Sequence, residues 1–298
     1  MTDPAPDTRT FKEILDEATT NRLLDIETVR GSDVLGVFGP LYRSMEERVR
    51  LAVSRIGSGT AGAPPRRKSL VVVLHTPGGS IDTAERIVNV TRHFYPDEVA
   101  FVIPDRAMSA GTILAMSGNS LWMDYYSLLG PVDPQVPVQK PDGEYYVPAL
   151  GYLDFWDRAV GLAEQGKLTQ AHAIKLQELD VAELRLFELE RDRSIALIQE
   201  WLVRYKFRDW STTETRGEQV TDQKKSEAAE HIATQLGRLD VWGSHSRGIN
   251  RDQLQKLNIK IDRLEDDAQF YDSCRAYFEH MVERGIPETG FVHTRAFI

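Results

Sequence analysis

Two short segments of this sequence combine residue types that can do chemistry together. The first runs from His75 to Gly79 and ends in two glycines, Gly78 and Gly79. The second runs from Ala107 to Thr112 and has Ser109 near its centre. Glycine lets a substrate carbonyl approach the main chain closely, and a serine at a helix N-terminus lies where the helix dipole favours negative charge. The two segments together predict an oxyanion hole that faces a serine nucleophile.

Each segment also has a simpler interpretation. Ser109 can be an ordinary helix cap, which contributes about 1 kcal/mol, and the two glycines can form a tight turn. A phosphate-binding loop is less consistent with the sequence, because the first segment lacks both the longer glycine-rich loop with its lysine and the three-glycine dinucleotide fingerprint. An oxyanion hole therefore fits the glycine pair better.

The elements that must position these segments are a set of strands, each followed by a helix. A continuous apolar strand is predicted over Ser69–His75, a second over Asp97–Pro104 and a third over Leu121–Asp124. Apolar residues from Ile81 to Phe94 recur at helical spacing. Repeated strand–helix units require right-handed crossovers and a parallel sheet, so the fold class is α/β. Both chemical segments then lie at the carboxyl edge of that sheet.

The character of the sequence divides the chain into four regions. They are an N-terminal arm over 1–21, with a short helix from Thr10 to Ala18, an α/β core over 22–149 and 220–265, an inserted helical arm over 150–219, and a closing helix and tail over 266–298. The apolar stripe of the helical arm looks too long for one side of a small sheet, which favours self-association. The alternative is a pair of helices that cover the core. A last strand is predicted over 259–261.

Composition excludes several classes of partner. The net charge of −9 gives no basis for binding nucleic acid, since phosphate binding needs a basic field. We find no zinc-ligand spacing and no calcium loop, so neither metal nor cofactor is expected. No apolar run approaches the roughly 20 residues that span a bilayer, and the polar, acidic N-terminus does not resemble a secretory signal. The single cysteine, Cys274, is interpreted as packing and fits a reducing compartment. A cytoplasmic location is expected.

Four motifs in this order resemble those of the serine dehydrogenase proteinase family, within the Clp-peptidase/crotonase superfamily that also holds the signal peptide peptidases. They are His75–Gly79, Ala107–Thr112, Leu129–Gln135 and His245–Ile249. The resemblance implies a ClpP/crotonase-like spiral of ββα units, with Ser109 as the nucleophile and an oxyanion hole from Gly78, Gly79 and the amide of Ala110. It also implies a peptide or protein substrate and assembly into a homo-oligomer.

The general base is less clear, and serine needs one within hydrogen-bond reach. In Clp-type peptidases a histidine follows the serine by one ββα unit, but the corresponding segment here contains Asp133 and no histidine. Asp133 can orient a base or a water, or simply form a turn before Pro134. His245 lies in a segment that resembles the one where Clp-type peptidases keep their aspartate, whose matching position here is Ser246. His245 can be the base or a loop histidine near Trp242.

Lys140 and His75 are two further side chains near these motifs. The signal peptide peptidases use a lysine, and Lys140 is the nearest one after Ser109, in a predicted loop insertion from Gln139 to Glu144. His75 is interpreted as structural. Three functions remain open: a serine peptidase acting through Ser109, a catalytically inactive ClpP-like oligomeric scaffold or binding module, and acyl-thioester chemistry of the crotonase type with bound coenzyme A.

Overall fold

A six-stranded sheet forms the centre of the molecule, in a computed structural model that describes residues 9–58, 64–140, 142–213 and 217–297. Its strands are β1 (Asp33–Phe38), β2 (Ser69–His75), β3 (Glu98–Ile103), β5 (Ser120–Met123), β10 (Asp262–Arg263) and β11 (Phe291–His293). Their order is β10-β5-β3-β2-β1-β11, and all neighbours are parallel except β1 and β11.

Three short strands form a second sheet beside the first. They are β4 (Arg106–Ala107), β6 (Leu128–Leu129) and β9 (Ile249–Asn250), in the order β4-β6-β9. Strand β4 follows β3 directly, β6 follows β5, and Thr76 extends β2 by one residue to bridge Ala107. Strands β3 and β5 are therefore each continued by a short strand and β2 by a bridge, and β2 and β3 then lead on into helices. This ββα repeat confirms the predicted ClpP/crotonase-like α/β class.

Helices cover both faces of the central sheet. The helices of the described residues are α1 (Phe11–Arg30), α2 (Arg43–Arg55), α3 (Ile81–Phe94), α4 (Ala110–Ala115), α5 (Leu150–Glu164), α6 (Gln170–Gln177), α7 (Val181–Trp201), α8 (Asp222–Leu236), α9 (Leu239–Trp242), α10 (Arg251–Lys256) and α11 (Ala268–Glu283), of which α5 and α6 lie away from the sheet. Alternate residues of β2 enter different cores: Leu70 and Val72 pack with α2 and α3, whereas Val71 and Val73 pack with α1 and α11. A strand buried on both faces is continuously apolar, as this one is.

The first helix is longer than the sequence predicted. The helix expected from Thr10 to Ala18 continues to Arg30 and so crosses the proposed arm boundary at residue 21. Thr10 and Glu13 form a capping box at its start, and Gly31 ends it at a φ of +62°. Leu23 and Ile26 are fully buried in the core shared with α11, and this packing extends the helix past its polar beginning.

Two further boundaries differ from the predictions. The expected loop from Gln139 to Glu144 belongs to an antiparallel hairpin of β7 (Gln135–Lys140) and β8 (Gly143–Pro148). The last core strand lies at Asp262–Arg263, just after the predicted 259–261, because Ile259 and Ile261 pack into the main core while the next two residues pair with Trp122 and Met123.

The inserted arm packs partly on itself and partly on the main core, so its last part fits the interpretation of helices that cover the core, and self-association stays a prediction. The beginning of α7 packs with α5 in a small separate core that includes Leu153, Leu184 and Phe187. The end of α7, including Ile198 and Trp201, packs into the main core instead. A single π-helical turn, Leu202–Lys206, follows α7. Within the described residues, no helix combines the length and the hydropathy that a membrane crossing requires.

Candidate active site

Ser109 has an unusual backbone conformation immediately before α4. Its φ is +51° and its ψ is −117°. A residue with a Cβ atom adopts positive φ only at a cost, and such strain clusters at functional sites. Although Ser109 occupies the cap position, its side chain makes no capping hydrogen bond. The interpretation of Ser109 as an ordinary helix cap is therefore not supported.

The turn that contains Gly78 and Gly79 (the glycine turn) lies directly against Ser109. Thr76 bridges Ala107 through two backbone hydrogen bonds of 3.0 Å, to the carbonyl of Arg106 and from the N–H of Met108. A Cβ atom on Gly78 would lie 3.0 Å from the Cβ of Ser109, and Gly78 has a φ of +108°. Only glycine fits this position, and the two turns are in contact.

Backbone amides around Ser109 differ in whether they are already engaged. The N–H of Gly78 donates to the hydroxyl of Thr76 at 3.0 Å. The N–H groups of Gly79 and Ala110 have no acceptor anywhere in the described ranges. Of the three amides predicted to line an oxyanion hole, two are therefore free in this structure and one is held by a side chain.

A buried threonine ties a third turn to the other two. The Thr112 hydroxyl is within hydrogen-bond distance of the carbonyls of Ala107 (2.8 Å) and Gly130 (2.9 Å), and the N–H of Gly130 donates to it at 2.9 Å. Gly130 is also packed on Met108, so that a Cβ there would lie 3.1 Å from the Met108 Cα. The loop that continues to Asp133 therefore starts against the Ser109 turn.

Asp133 and His245 form a hydrogen-bonded pair. His245 Nδ1 lies 2.9 Å from Asp133 Oδ1. The Asp133 side chain is completely buried, whereas that of His245 is 21% exposed. Strand β9 runs antiparallel to β6, with Ile249 opposite Leu129, so the segment before β9 meets the segment after β6 at one edge. This is the edge at which β4 leads to Ser109.

The pairing fixes which imidazole nitrogen is available. A carboxylate that faces Nδ1 favours the tautomer with a proton on that nitrogen and leaves Nε2 free to accept one. Ser109 and His245 make no hydrogen bond with each other in this structure. The topology brings Ser109, Asp133 and His245 to one edge of the small sheet, and the structure joins two of the three directly.

Other candidates lie elsewhere or are not described. Lys140 is on β7, but its side chain is outside the described part of the structure. Burial lowers the pKa of Lys206 to about 8; however, the preceding residue, Tyr205, accepts from Asn119 at the amino end of β5, opposite the Ser109 edge. A perturbed pKa alone would have selected the wrong place. No metal-binding group of three or more His, Cys, Asp or Glu occurs among the described residues.

The sequence interpretation missed Thr76 and Thr112. Both lie inside the quoted motifs, and both are completely buried. The interpretation of these motifs rested on the neighbouring serine and glycines. No sequence signal distinguishes a buried threonine from an exposed one. Cys274 is buried as expected, and burial raises the pKa of its thiol.

Comparison with known proteins gives a family and two curated relatives. Residues 12–145 match the family described as ClpP-like SDH-type serine proteinase. An uncharacterized protein of Methanocaldococcus jannaschii is 30% identical over 144 residues, which cover 46% of this chain and 45% of that protein. A second uncharacterized protein of the same organism is 31% identical over 94 residues, covering 32% of this chain and 29% of that protein. The chain thus spans less than half the length of these relatives.

Solved structures resemble the chain only weakly. One is a membrane-bound stomatin-specific protease, at 18% identity and a TM-score of 0.32, covering 44% of this chain and 61% of that one. Another is the ClpP protease catalytic domain from Plasmodium falciparum, at 8% identity and a TM-score of 0.30, covering 42% of this chain and 63% of that one. Both TM-scores are too low to support anything about activity. The segment from 12 to 145, which contains the glycine turn, Ser109 and Asp133, is thus similar to the ClpP-like SDH-type serine proteinases.

Proposed function

We propose that this chain is a serine peptidase that hydrolyses peptide bonds through an acyl-enzyme on Ser109. The Ser109 hydroxyl attacks the substrate carbonyl carbon while His245 Nε2 takes its proton, and Asp133 holds the imidazole in the required tautomer. The carbonyl oxygen, now negative, accepts hydrogen bonds from the N–H groups of Gly79 and Ala110. Gly78 is the third predicted donor, and its N–H becomes available once it leaves the Thr76 hydroxyl.

The remaining steps follow from the same groups. The tetrahedral intermediate collapses, the amine leaves with the proton held by His245, and the acyl group stays on the Ser109 oxygen. Water then attacks this ester and loses a proton to His245, which returns it to the Ser109 oxygen as the acid product leaves. No step needs a metal ion or an organic cofactor.

The observation that carries this proposal is the environment of Ser109. Its backbone is strained, and its side chain makes no capping hydrogen bond and lies against Gly78. At the same edge, the buried Asp133 orients His245. A catalytic triad is recognised by geometry rather than by the order of its members along the chain. The missing Ser109–His245 hydrogen bond is consistent with an enzyme without substrate, in which such contacts are long and tighten in the complex.

The experiment is labelling by a fluorophosphonate probe, together with hydrolysis of labelled casein. The protein as it stands should form a covalent adduct, and Ser109→Ala should abolish both labelling and hydrolysis. Ser246→Ala is the matched control, because Ser246 is exposed beside His245 and has no role in the mechanism. Adduct formation undiminished in Ser109→Ala would contradict the proposal.

An inactive scaffold is the second candidate function, and one observation favours it. The Gly78 amide is engaged by Thr76, and Ser109 and His245 are not bonded, so the constellation is incomplete as it stands. Failure of the probe to label a well-folded protein that forms a defined oligomer would favour the scaffold. A peptide or protein substrate, self-association and a cytoplasmic location remain part of our proposal.

A further inference from the structure

His75 and Asp105 form a contact that the proposed mechanism does not use. His75 is the last residue of β2 and directly precedes the glycine turn, and Asp105 directly precedes β4, which leads to Ser109. Their side chains meet, with His75 Nδ1 3.2 Å from Asp105 Oδ2. The His75 side chain is 7% exposed and that of Asp105 is 19% exposed. The contact therefore joins, largely out of solvent, the two strand ends from which the site is built.

The backbone of the same two residues is tied to the neighbouring turns. The carbonyl of His75 accepts from the N–H of Gly39 at 2.9 Å, at the end of β1. The carbonyl of Asp105 accepts from the N–H of Leu128 at 2.7 Å, at the start of β6. A shift of His75 would thus also move the turn after β1, and a shift of Asp105 would also move the start of β6.

The groups around the pair keep Asp105 charged. Arg106 Nε lies 3.6 Å from the same carboxylate oxygen, Arg275 of α11 attracts it from further away, and the ring of Phe278 of α11 lies against the imidazole with centroids 5.4 Å apart. Burial raises the pKa of Asp105, but His75 and the two arginines lower it by more, so its pKa is below its ordinary value. Asp105 is therefore an anion that several neighbours hold in place.

We propose that His75 and Asp105 are a positioning pair that fixes the spacing between the glycine turn and the Ser109 turn. The proposal rests on the function proposed above, because the spacing matters most where a hydroxyl must face backbone amides. Catalytic groups must be held within roughly 0.5 Å of their productive geometry, and a misplacement of about 1 Å can cost a hundredfold in rate. Neither side chain touches the substrate in this scheme.

The first test compares substitutions of His75 that are all polar but place their N–H donor at different distances from the backbone. Asn carries an N–H donor near the place of the histidine Nδ1, whereas Gln carries it further out. We expect His75→Gln and Asp105→Ala to lower kcat at least about tenfold with KM within about twofold, and His75→Asn to retain most of the wild-type kcat. His293→Asn is the matched control, because His293 is also buried and hydrogen-bonded but lies on β11, two strands from β2. It should lower the melting temperature and leave kcat unchanged.

A second measurement does not depend on activity. Hydrogen exchange of segments 75–80 and 105–112 should accelerate in His75→Gln and Asp105→Ala and stay near wild type in His75→Asn. If these segments loosen in a protein that has no peptidase activity, the proposed function fails and the positioning pair stands. The pair is overturned if kcat and exchange both stay at wild-type values in an active protein. It is also overturned if exchange rises throughout the central sheet, or if His293→Asn lowers kcat as much as His75→Gln.

Discussion

Asp133 is the residue whose single role is easiest to isolate. Its carboxylate is completely buried and reaches His245 Nδ1 at 2.9 Å. Asp133→Asn keeps the shape but can donate to the imidazole, which favours the tautomer with the proton on Nε2. We expect kcat on a peptide substrate to fall by about ten-thousandfold. Asp240→Asn is the control, since Asp240 is an exposed carboxylate paired with Arg238 and should not matter. Equal activities of the two variants would contradict the role of Asp133 in orienting His245.

Thr112 supports the site through one hydroxyl. Thr112→Val leaves the buried N–H of Gly130 without its acceptor, which costs about 1–3 kcal/mol of the free energy of unfolding. Thr91→Val is the comparison, because the Thr91 hydroxyl donates only to the carbonyls of Ile87 and Val88 in its own helix. Urea unfolding should show the larger loss for Thr112→Val. If the two losses are the same, the Thr112 hydroxyl does not hold the third turn.

Residue types made part of the site predictable and left part of it hidden. Ser109, Gly78 and Gly79 became candidates only in combination, because a serine at a helix start or a glycine pair alone also fits an ordinary cap or a tight turn. The Asp133–His245 contact joins residues 112 positions apart, which no local pattern specifies. The sequence indicated Asp133 and His245 only as two separate candidates. Their pairing depends on the antiparallel pairing of β9 with β6.

Among the secondary-structure elements, a continuously apolar strand and an amphipathic helix were predictable, and the shortest strands were not. The strand over Ser69–His75 agrees with the prediction because a continuously apolar run has one meaning in a doubly covered sheet. Helix α3 agrees as well, since Ser80 caps it and its apolar residues repeat at helical spacing. Strands β4, β6 and β9 have two residues each, too few for any periodicity. These unpredicted strands are the ones that gather the site.

The contact of β11 with helix α11 makes stability depend on pH. His293 is completely buried, its Nδ1 lies 3.0 Å from the hydroxyl of Tyr277, and burial lowers its pKa to about 4. In the unfolded chain the pKa of histidine is about 6.5. Between these values the unfolded state binds more protons, so stability falls as pH falls from about 6.5 to about 4, by roughly 3 kcal/mol in total.

Urea unfolding at several pH values across this window tests the dependence. His293→Asn should flatten the curve, although not completely, because burial also lowers the pKa of His280 on α11. An unchanged slope in His293→Asn would show that His293 does not carry the effect. Lowered carboxylate pKa values, such as that of Asp105, reduce stability only below about pH 5, so the contribution of His293 is read between about pH 5 and pH 6.5.

For the whole molecule, one topological rule places the site. Parallel strands β1, β2, β3 and β5 all end at the same edge, so the turns after them are neighbours regardless of their separation in sequence. The alternation of strands and helices was sufficient to predict this edge. It was not sufficient to predict the arm, where the same apolar stripe serves a separate small core at one end and the main core at the other.

The arm also carries the last prediction, which concerns assembly. Leu186 and Leu189 lie three residues apart on α7, on one side of the helix, and are 54% and 50% exposed. Exposed apolar side chains on a helix favour burial against another molecule, and self-association is the use we propose. We expect the protein to sediment as an oligomer, and Leu186→Glu with Leu189→Glu to shift it to smaller species. Val282→Glu, an equally exposed valine on α11, is the control and should leave assembly unchanged. A double variant that sediments like wild type would place any interface between subunits elsewhere.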